Sequence, residues 1–575
     1  MRKILLLTIA TAALGCGGAP RPAGPSPYAR GKPVIPATWT LKAQPVTAPH
    51  AMVVTAHPLA TAVGVDVLKQ GGNAIDAAVA VAFALEVVLP DAGNIGGGGF
   101  IVHRTAGGEV HALDYREAAP SGASRNMYVD STGNVTDKSL IGHLAAGVPG
   151  SVAGLHEAWR KYGSLPWATL IAPAIKLAEG HVIDTARSRD IGWEHEMLAR
   201  FPASRAQFLV NDSAPPPGTM WRQPDLARTL RLISDSGPDV FYRGQIADLI
   251  VAEMQRGGGL ITKEDLRRYQ AKWRNPVHLT YRGYTIYSMP PPSSGGVTMG
   301  ELLNILEGYD SLPAFGTPQY VHVVAEAMRR AFIDRNRYLG DPDFVDMPLG
   351  RLLSKSYAAT LREQIDPRRA TPTPTETPGG GEPMHTTHYS IVDAHGDAVA
   401  VTTTLNGGFG SGVTVTGAGF LLNNEMDDFT SAPGKPNMFG LVQGESNAIM
   451  PGKRMLSAMT PSIVLDPAGE LYMVLGTPGG PTIITTVTQV ILNVIDQKMS
   501  LASAVAAPRF HHQALPDIIR SERGGMADAT IRALRAMGHQ VDTRGSSGTV
   551  AAIQKTAGGW VGVIDPRSAG GSLGY

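Results

Sequence analysis

A run rich in proline, threonine and glycine, Thr371 to Pro383, stops abruptly at Met384-His385-Thr386-Thr387-His388-Tyr389-Ser390-Ile391-Val392-Asp393. That junction constrains the chain more than any other stretch. The run has no apolar periodicity and cannot supply a packed core, so it reads as an exposed linker. The segment beyond it is rich in Val, Ile, Thr and Tyr, passes through Ala394-His395-Gly396 and continues as Asp397 to Asn406. This is the pattern of a β-hairpin with a three-residue loop ending in glycine. A hairpin's loop fixes its register, so pairing Asp393 with Asp397 and counting outward sets Thr386 opposite Thr404. Two hydroxyls then face each other where the strand begins. Cleavage between His385 and Thr386 leaves an N-terminal threonine, with hydroxyl and amine on one residue. An α-amine pKa of about 7.7 to 8.0 leaves roughly a third or less unprotonated at pH 7.4, able to take the hydroxyl proton. On local spacing alone, the plainer reading of an ordinary linker entering an ordinary hairpin is preferred.

The 575 residues suffice for two domains or one large multilayer domain. A net charge of +1 with 17% charged residues gives no basic surface for nucleic acid, and the profile suits a small-molecule enzyme. Arg2-Lys3, the apolar stretch Ile4 to Leu14 and Gly15-Cys16 form a secretory signal with a lipoprotein-type ending over residues 1–16. Cys16 is the only cysteine, so intrachain disulfides are excluded, and it is the expected lipidation site, although Ala13 stands where leucine is usual. Residues 17–49 are rich in proline and glycine and read as a tether. The expected location is exported: periplasmic, or on the outer membrane or cell surface of a bacterium as a lipoprotein.

Further along, Pro58 to Gln70 has helical spacing, and Asn73 caps a helix over Ala74 to Leu89 that is apolar almost all round. That helix is too short and interrupted to span a bilayer, so it is expected in the core. The glycines of Asp91 to Phe100 come after a helix and precede a strand, with no Gly-Lys-Ser/Thr behind them, so they are expected to allow close backbone approach and not to bind phosphate. Arg116 ends the expected strand Val110 to Tyr115, where its guanidinium suits a carboxylate; the competing reading is a surface ion pair with Asp114 or Glu117. Helical patterns dominate Ser151 to Leu353, broken by the loop Met289 to Gly296. Three carboxylates in Asn423 to Asp428 suit an ammonium group, or are solvated turn charges. Leu471 to Leu475 reads as a strand running through Gly476-Thr-Pro-Gly-Gly480 into a helix, where adjacent glycine amides make an oxyanion site. His511-His512 has no ligand spacing around it, so no catalytic metal and no cofactor are expected.

Taken together, Thr386-Thr-His-Tyr-Ser390, Leu422-Asn-Asn-Glu-Met-Asp-Asp-Phe429, Gly476-Thr-Pro-Gly-Gly480, Pro290-Pro-Pro-Ser-Ser-Gly-Gly296 and Asp565-Pro-Arg567 resemble the γ-glutamyltranspeptidases, also called glutathione hydrolases, of the N-terminal-nucleophile (Ntn) hydrolase superfamily. The similarity runs from about His50 to Tyr575. It implies an α+β fold, a four-layer αββα sandwich of two stacked, mainly antiparallel sheets flanked by helices. It also implies a precursor cut between His385 and Thr386 into a large subunit, 50–385, and a small subunit, 386–575, intertwined in one domain. Thr386 would attack the γ-carbonyl of glutathione and related γ-glutamyl amides, with Thr404 supporting it and the Gly479 and Gly480 amides holding the oxyanion. Arg116 and Ser457 would take the substrate α-carboxylate, while Glu425, Asp428 and Asn406 would take the α-ammonium, and the two opposite charges would orient the zwitterion. The ester would pass to water, an amino acid or a dipeptide. The implied partners are small-molecule γ-glutamyl substrates and the two subunits of one precursor, with a membrane reached only through the lipid.

Two positions leave the family pattern. Ala458 follows Ser457 where a second serine is usual, and Phe439 stands where the covering loop usually has a tyrosine. The loss of one neutral hydrogen bond at Ala458 costs about 1 kcal/mol. The rival readings are an acylase of glutaryl or cephalosporin side chains, whose substrates lack the α-ammonium, and an uncleaved binding lipoprotein.

Overall fold

The computed structural model describes residues 31–93, 95–373, 386–432, 434–545 and 548–575. The expected signal, Cys16 and His385 lie outside these residues.

Two seven-stranded sheets form the centre of the molecule among the described residues. In one, the strands run in the order Gly571–Gly574, Met52–Thr55, Thr386–Val392, Ala398–Thr404, Gly98–Arg104, Val110–Asp114 and Lys272–Arg274. The hairpin is therefore the middle of this sheet. The other sheet runs Val46–Ala48, Gly559–Ile564, Ala551–Thr556, Leu471–Gly476, Ser462–Leu465, Tyr284–Ser288 and Val277–Tyr281. All pairings within both sheets are antiparallel.

Side chains alternate across a pleat, and the hairpin uses both faces. Tyr389, Ile391, Val399 and Val401 pack with the helix Ala74–Val88, whose fifteen residues are all buried. Val392, Ala398 and Ala400 point the other way and meet Ile463, Val474 and Ile553 of the second sheet. Outside that sheet lie the helices Gly295–Glu307, Pro318–Tyr338 and Thr482–Ile495. Helix, sheet, sheet, helix is the four-layer sandwich expected from the sequence. Thr386 and Thr404 share the parity of the inward-facing residues, which carries both hydroxyls to the seam between the sheets.

Local signals match the elements closely. Asn73 and Asp76 form a reciprocal capping box at the start of the buried helix. Asp393 N–H donates to Asp397 O at 3.0 Å, and Gly396 has φ +93°, which closes the three-residue loop. The glycine run differs from expectation in one respect: its second half is already strand, Gly98–Arg104, and lies beside Ala398–Thr404. A Cβ on Gly97 would stand 2.0 Å from Thr404 O, and one on Gly96 would stand 1.8 Å from Leu421 O. The glycines let this segment pass directly against the end of the hairpin. No helix among the described residues is long and apolar enough to cross a membrane.

Candidate active site

Thr386 pairs with Thr404 in the register counted from the loop, and their hydroxyl oxygens are 3.1 Å apart. Thr404 Oγ1 also accepts the Asn406 N–H at 2.8 Å. An oxygen already accepting a proton is the better donor of the pair, so the local wiring favours Thr404 O–H donating to Thr386. The next inward position is His388, fully buried between Thr402 Oγ1 at 2.9 Å and Ser390 Oγ at 3.1 Å. Burial pushes its pKa down to about 3, so it stays neutral and serves the seam, not proton transfer.

The glycine pair arrives from the second sheet. Gly479 has φ +137° and Gly480 φ +52°, values that other residues rarely adopt. Gly479 O accepts the Thr482 N–H at 3.1 Å and the Thr482 hydroxyl at 2.8 Å, and Gly480 O accepts the Ile483 N–H at 3.1 Å. Both carbonyls are thus turned into the first turn of the helix. In a trans peptide the N–H points opposite to the carbonyl, so the Gly480 amide is directed away from the helix, on the side of the cavity that Gly480 lines.

That cavity gathers every expected site residue within the described chain except Gly479: Thr386, Thr404 and Gly480 at one side, Arg116, Asn406, Glu425, Asp428 and Ser457 at the other. Gly479 lines the adjoining face of Thr386. Arg116 is 1% exposed, and its buried setting discards the surface ion pair considered from sequence. Its Nε donates to Met455 O at 3.2 Å, while its Nη1 bonds Glu425 and its Nη2 bonds Asp428. The cation and the two acids are bonded directly to one another. The reason is desolvation: three charges buried away from bulk solvent gain most by satisfying each other. Burial raises the pKa of both acids, and the Arg116 charge acts against that rise.

Ser457 is fixed by the loop whose purpose was open in the sequence. Ser457 N–H donates to Pro292 O at 2.8 Å, and Ser294 N–H and hydroxyl donate to Ser457 O at 2.8 and 2.6 Å. Ala458, Phe439 and Leu441 add an apolar wall. Phe439 is 7% exposed and packs in the outer core, with no hydroxyl to offer, and Asn406 Nδ2 donates to Asn424 O at 3.0 Å. The free room is about 20 Å³, close to one water.

Two buried charged residues were given no part in the site by the sequence. Glu117 is fully buried 3.7 Å from Arg116, and burial lifts its pKa to about 7. Arg335 lines the cavity with neutral partners, Ser294 at 2.9 Å, Asn336 at 2.9 Å and Gln443 at 3.1 Å, and burial lowers its pKa to about 10. Its signal was present: Arg335 stands three residues after Phe332 and seven after Met328, on the inward face of its helix. The structure also brings ligand atoms of His322, Glu326 and His539 within 4.8 Å of one another, a buried trio of possible metal ligands of which only His322 and Glu326, four apart on one helix, are near in sequence. There the rings bond each other at 2.8 Å, and Glu326 is bonded to Arg329, Arg330 and Thr371. Two guanidiniums on the one carboxylate make it a poor cation site.

Residues 60–575 match the Gamma-glutamyltranspeptidase family model. The chain is 45% identical to the glutathione hydrolase proenzyme of Escherichia coli K12, over 99% of this chain and 98% of that one. It is 48% identical to the glutathione hydrolase proenzyme of Pseudomonas sp. strain A14, over 92% and 95%. Among solved structures, a cephalosporin acylase from Bacillus halodurans superimposes with a TM-score of 0.82 at 29% identity, covering 94% of this chain and 98% of that one.

Proposed function

The chain belongs to the γ-glutamyltranspeptidase family, and from that premise we propose that Thr386 is both its point of self-cleavage and its nucleophile. The protein is a γ-glutamyl hydrolase and transferase of the Ntn-hydrolase superfamily, made as a proenzyme and processed into two subunits. The observation that carries the residue assignment is the 3.1 Å hydroxyl pair of Thr386 and Thr404 at the edge of the Arg116 cavity. In maturation the Thr386 oxygen attacks the His385 carbonyl carbon, the C–N bond breaks, and water hydrolyses the resulting ester. This frees the amine of Thr386 and ends a large subunit, 50–385, at His385; the small subunit is 386–575. In turnover that amine accepts the hydroxyl proton as oxygen attacks the γ-carbonyl. The Gly479 and Gly480 amides stabilise the oxyanion, and the proton passes to the departing amine. Water or an acceptor amine then resolves the ester on Thr386.

Recognition is an exchange of ion pairs. The substrate α-carboxylate, helped by Ser457, replaces a protein carboxylate on Arg116, and the α-ammonium, helped by Asn406, takes the acids released, Glu425 and Asp428. Charge is conserved, so the desolvation penalty of the buried cluster is not incurred twice. Because the cavity holds little more than a water, entry also requires Phe439 and Leu441 to give way.

Thr386→Ala tests the assignment: the purified variant should stay a single band on denaturing gels and release no anilide from a γ-glutamyl anilide. Splitting or turnover by that variant would overturn it. The likeness to a cephalosporin acylase supports a second reading, cleavage of glutaryl side chains. Glu425 and Asp428 favour an ammonium-bearing donor, and faster cleavage of glutaryl anilide than of γ-glutamyl anilide would reverse that choice. An uncleaved binding lipoprotein is the third reading, which the same gel separates. Export with lipidation at Cys16, to the periplasm or the cell surface, is supported by the run Arg2 to Cys16. Mass spectrometry of the membrane fraction tests it, an unmodified Cys16 refuting lipidation.

A further inference from the structure

Thr386 lines two spaces. Besides the small cavity, it borders a groove of about 550 Å³, within the size range of small-ligand sites. The Gly479-Gly480 pair divides them, Gly480 facing the cavity and Gly479 the groove. A tetrahedral acyl carbon on Thr386 carries four groups. With the acyl chain in the cavity, the oxyanion at the glycine amides and Oγ as the third, the nitrogen substituent has only the groove side left.

The groove has a rigid wall and an open one. Arg187 is held between Asp91 and Asp190 at 2.7 Å each and is 12% exposed, so its charge is spent inside the wall. Arg189 also reaches Asp190, at 3.2 Å, but from the solvent side: its side chain is 55% exposed, and its guanidinium lies 4.7 Å from the ring centre of Trp193, itself 70% exposed. A large aromatic surface left in water beneath an accessible cation suits a ligand with an apolar part and an anionic end.

We propose that the Arg189–Trp193 platform binds the acceptor of the transfer reaction, an amino acid or short peptide with a free carboxylate and an apolar or aromatic side chain. The inference rests on the reading of Thr386 as nucleophile. The acceptor carboxylate lies at Arg189, its side chain lies on Trp193, and its neutral amine faces the ester. The amine nitrogen bonds to the acyl carbon, the carbon–oxygen bond to Thr386 breaks, and one amine proton returns to the Thr386 oxygen through the Thr386 α-amine. By microscopic reversibility the leaving amine of the donor departs along the same groove.

The test is the partition of one acyl-enzyme between water and acceptor, which is independent of how fast the ester forms. Purified enzyme is given a γ-glutamyl anilide with glycyl-phenylalanine, its C-terminal amide, or glycyl-glycine, and free glutamate and transfer product are quantified together. Arg189→Glu should lower the transfer-to-hydrolysis ratio for glycyl-phenylalanine at least tenfold and leave the ratio for the amide within twofold. Trp193→Ala should lower the ratio for glycyl-phenylalanine more than for glycyl-glycine. Ratios within twofold of the parent for every acceptor would overturn the platform while leaving the nucleophile intact. A parent enzyme that forms no glutamyl ester would overturn both.

Discussion

Replacing Thr404 with valine removes one oxygen and keeps the shape, which makes it the sharpest probe of the hydroxyl pair. Thr404 is 2% exposed, so the strand should accept valine sterically, and the hydrogen bonds of its oxygen to Asn406 and to Thr386 are lost together. The Asn406 N–H loses its acceptor at 2.8 Å, and an unsatisfied buried amide costs about 1–3 kcal/mol of stability. The other bond, 3.1 Å to Thr386, acts on an oxygen that gains negative charge as it attacks. Charge-assisted bonds are worth about 1.5–3 kcal/mol, which is a factor of roughly 10 to 150 in rate. The same oxygen attacks in maturation and in turnover, so both should slow by that factor. Gel densitometry of precursor splitting and anilide release from the split fraction measure the two rates, and urea unfolding measures stability. Thr404→Ser restores the oxygen and should recover most of both rates. A valine variant that matches the parent within twofold in either reaction would refute the claim that Thr404 serves the nucleophile.

Arg116→Lys keeps the charge but replaces a fork bonded to two carboxylates with a single ammonium, and kcat/KM for the γ-glutamyl donor should fall at least a hundredfold; steady-state kinetics check this. Glu117 ionises in the unfolded chain near pH 4.5 but in the fold only at about 7, so the folded state holds a proton the unfolded one has released. Stability from this group is therefore greatest below about pH 4.5, declines as pH rises to about 7 and then levels. Glu117→Gln should flatten that decline in urea midpoints measured across the range. Ala458→Ser returns a hydroxyl to the wall beside Ser457 and should raise kcat/KM about fivefold, the worth of one neutral hydrogen bond; an unchanged or lower value would show that the oxygen meets no substrate group.

Local sequence determined what depends on near neighbours. Loop length set the hairpin register, so the Thr386–Thr404 pair could be counted before any fold was known. The capping box at Asn73, the apolar helix after it and the glycine pair leading into Thr482 were equally local. Resemblance then named the residues of the clamp, but neither motif nor spacing could tell that Arg116 bonds the very acids assigned to the substrate ammonium. Arg116 lies 309 residues from Glu425 and 312 from Asp428. Their mutual distance is a product of how the two sheets and their loops close on each other. The tertiary structure alone decided that Glu117 is buried with its pKa raised, that Arg335 reaches the cavity, and that Thr386 opens on a second groove. Register comes from covalent connection over a few residues. Burial, and the charge states it imposes, comes from which distant surfaces exclude water together.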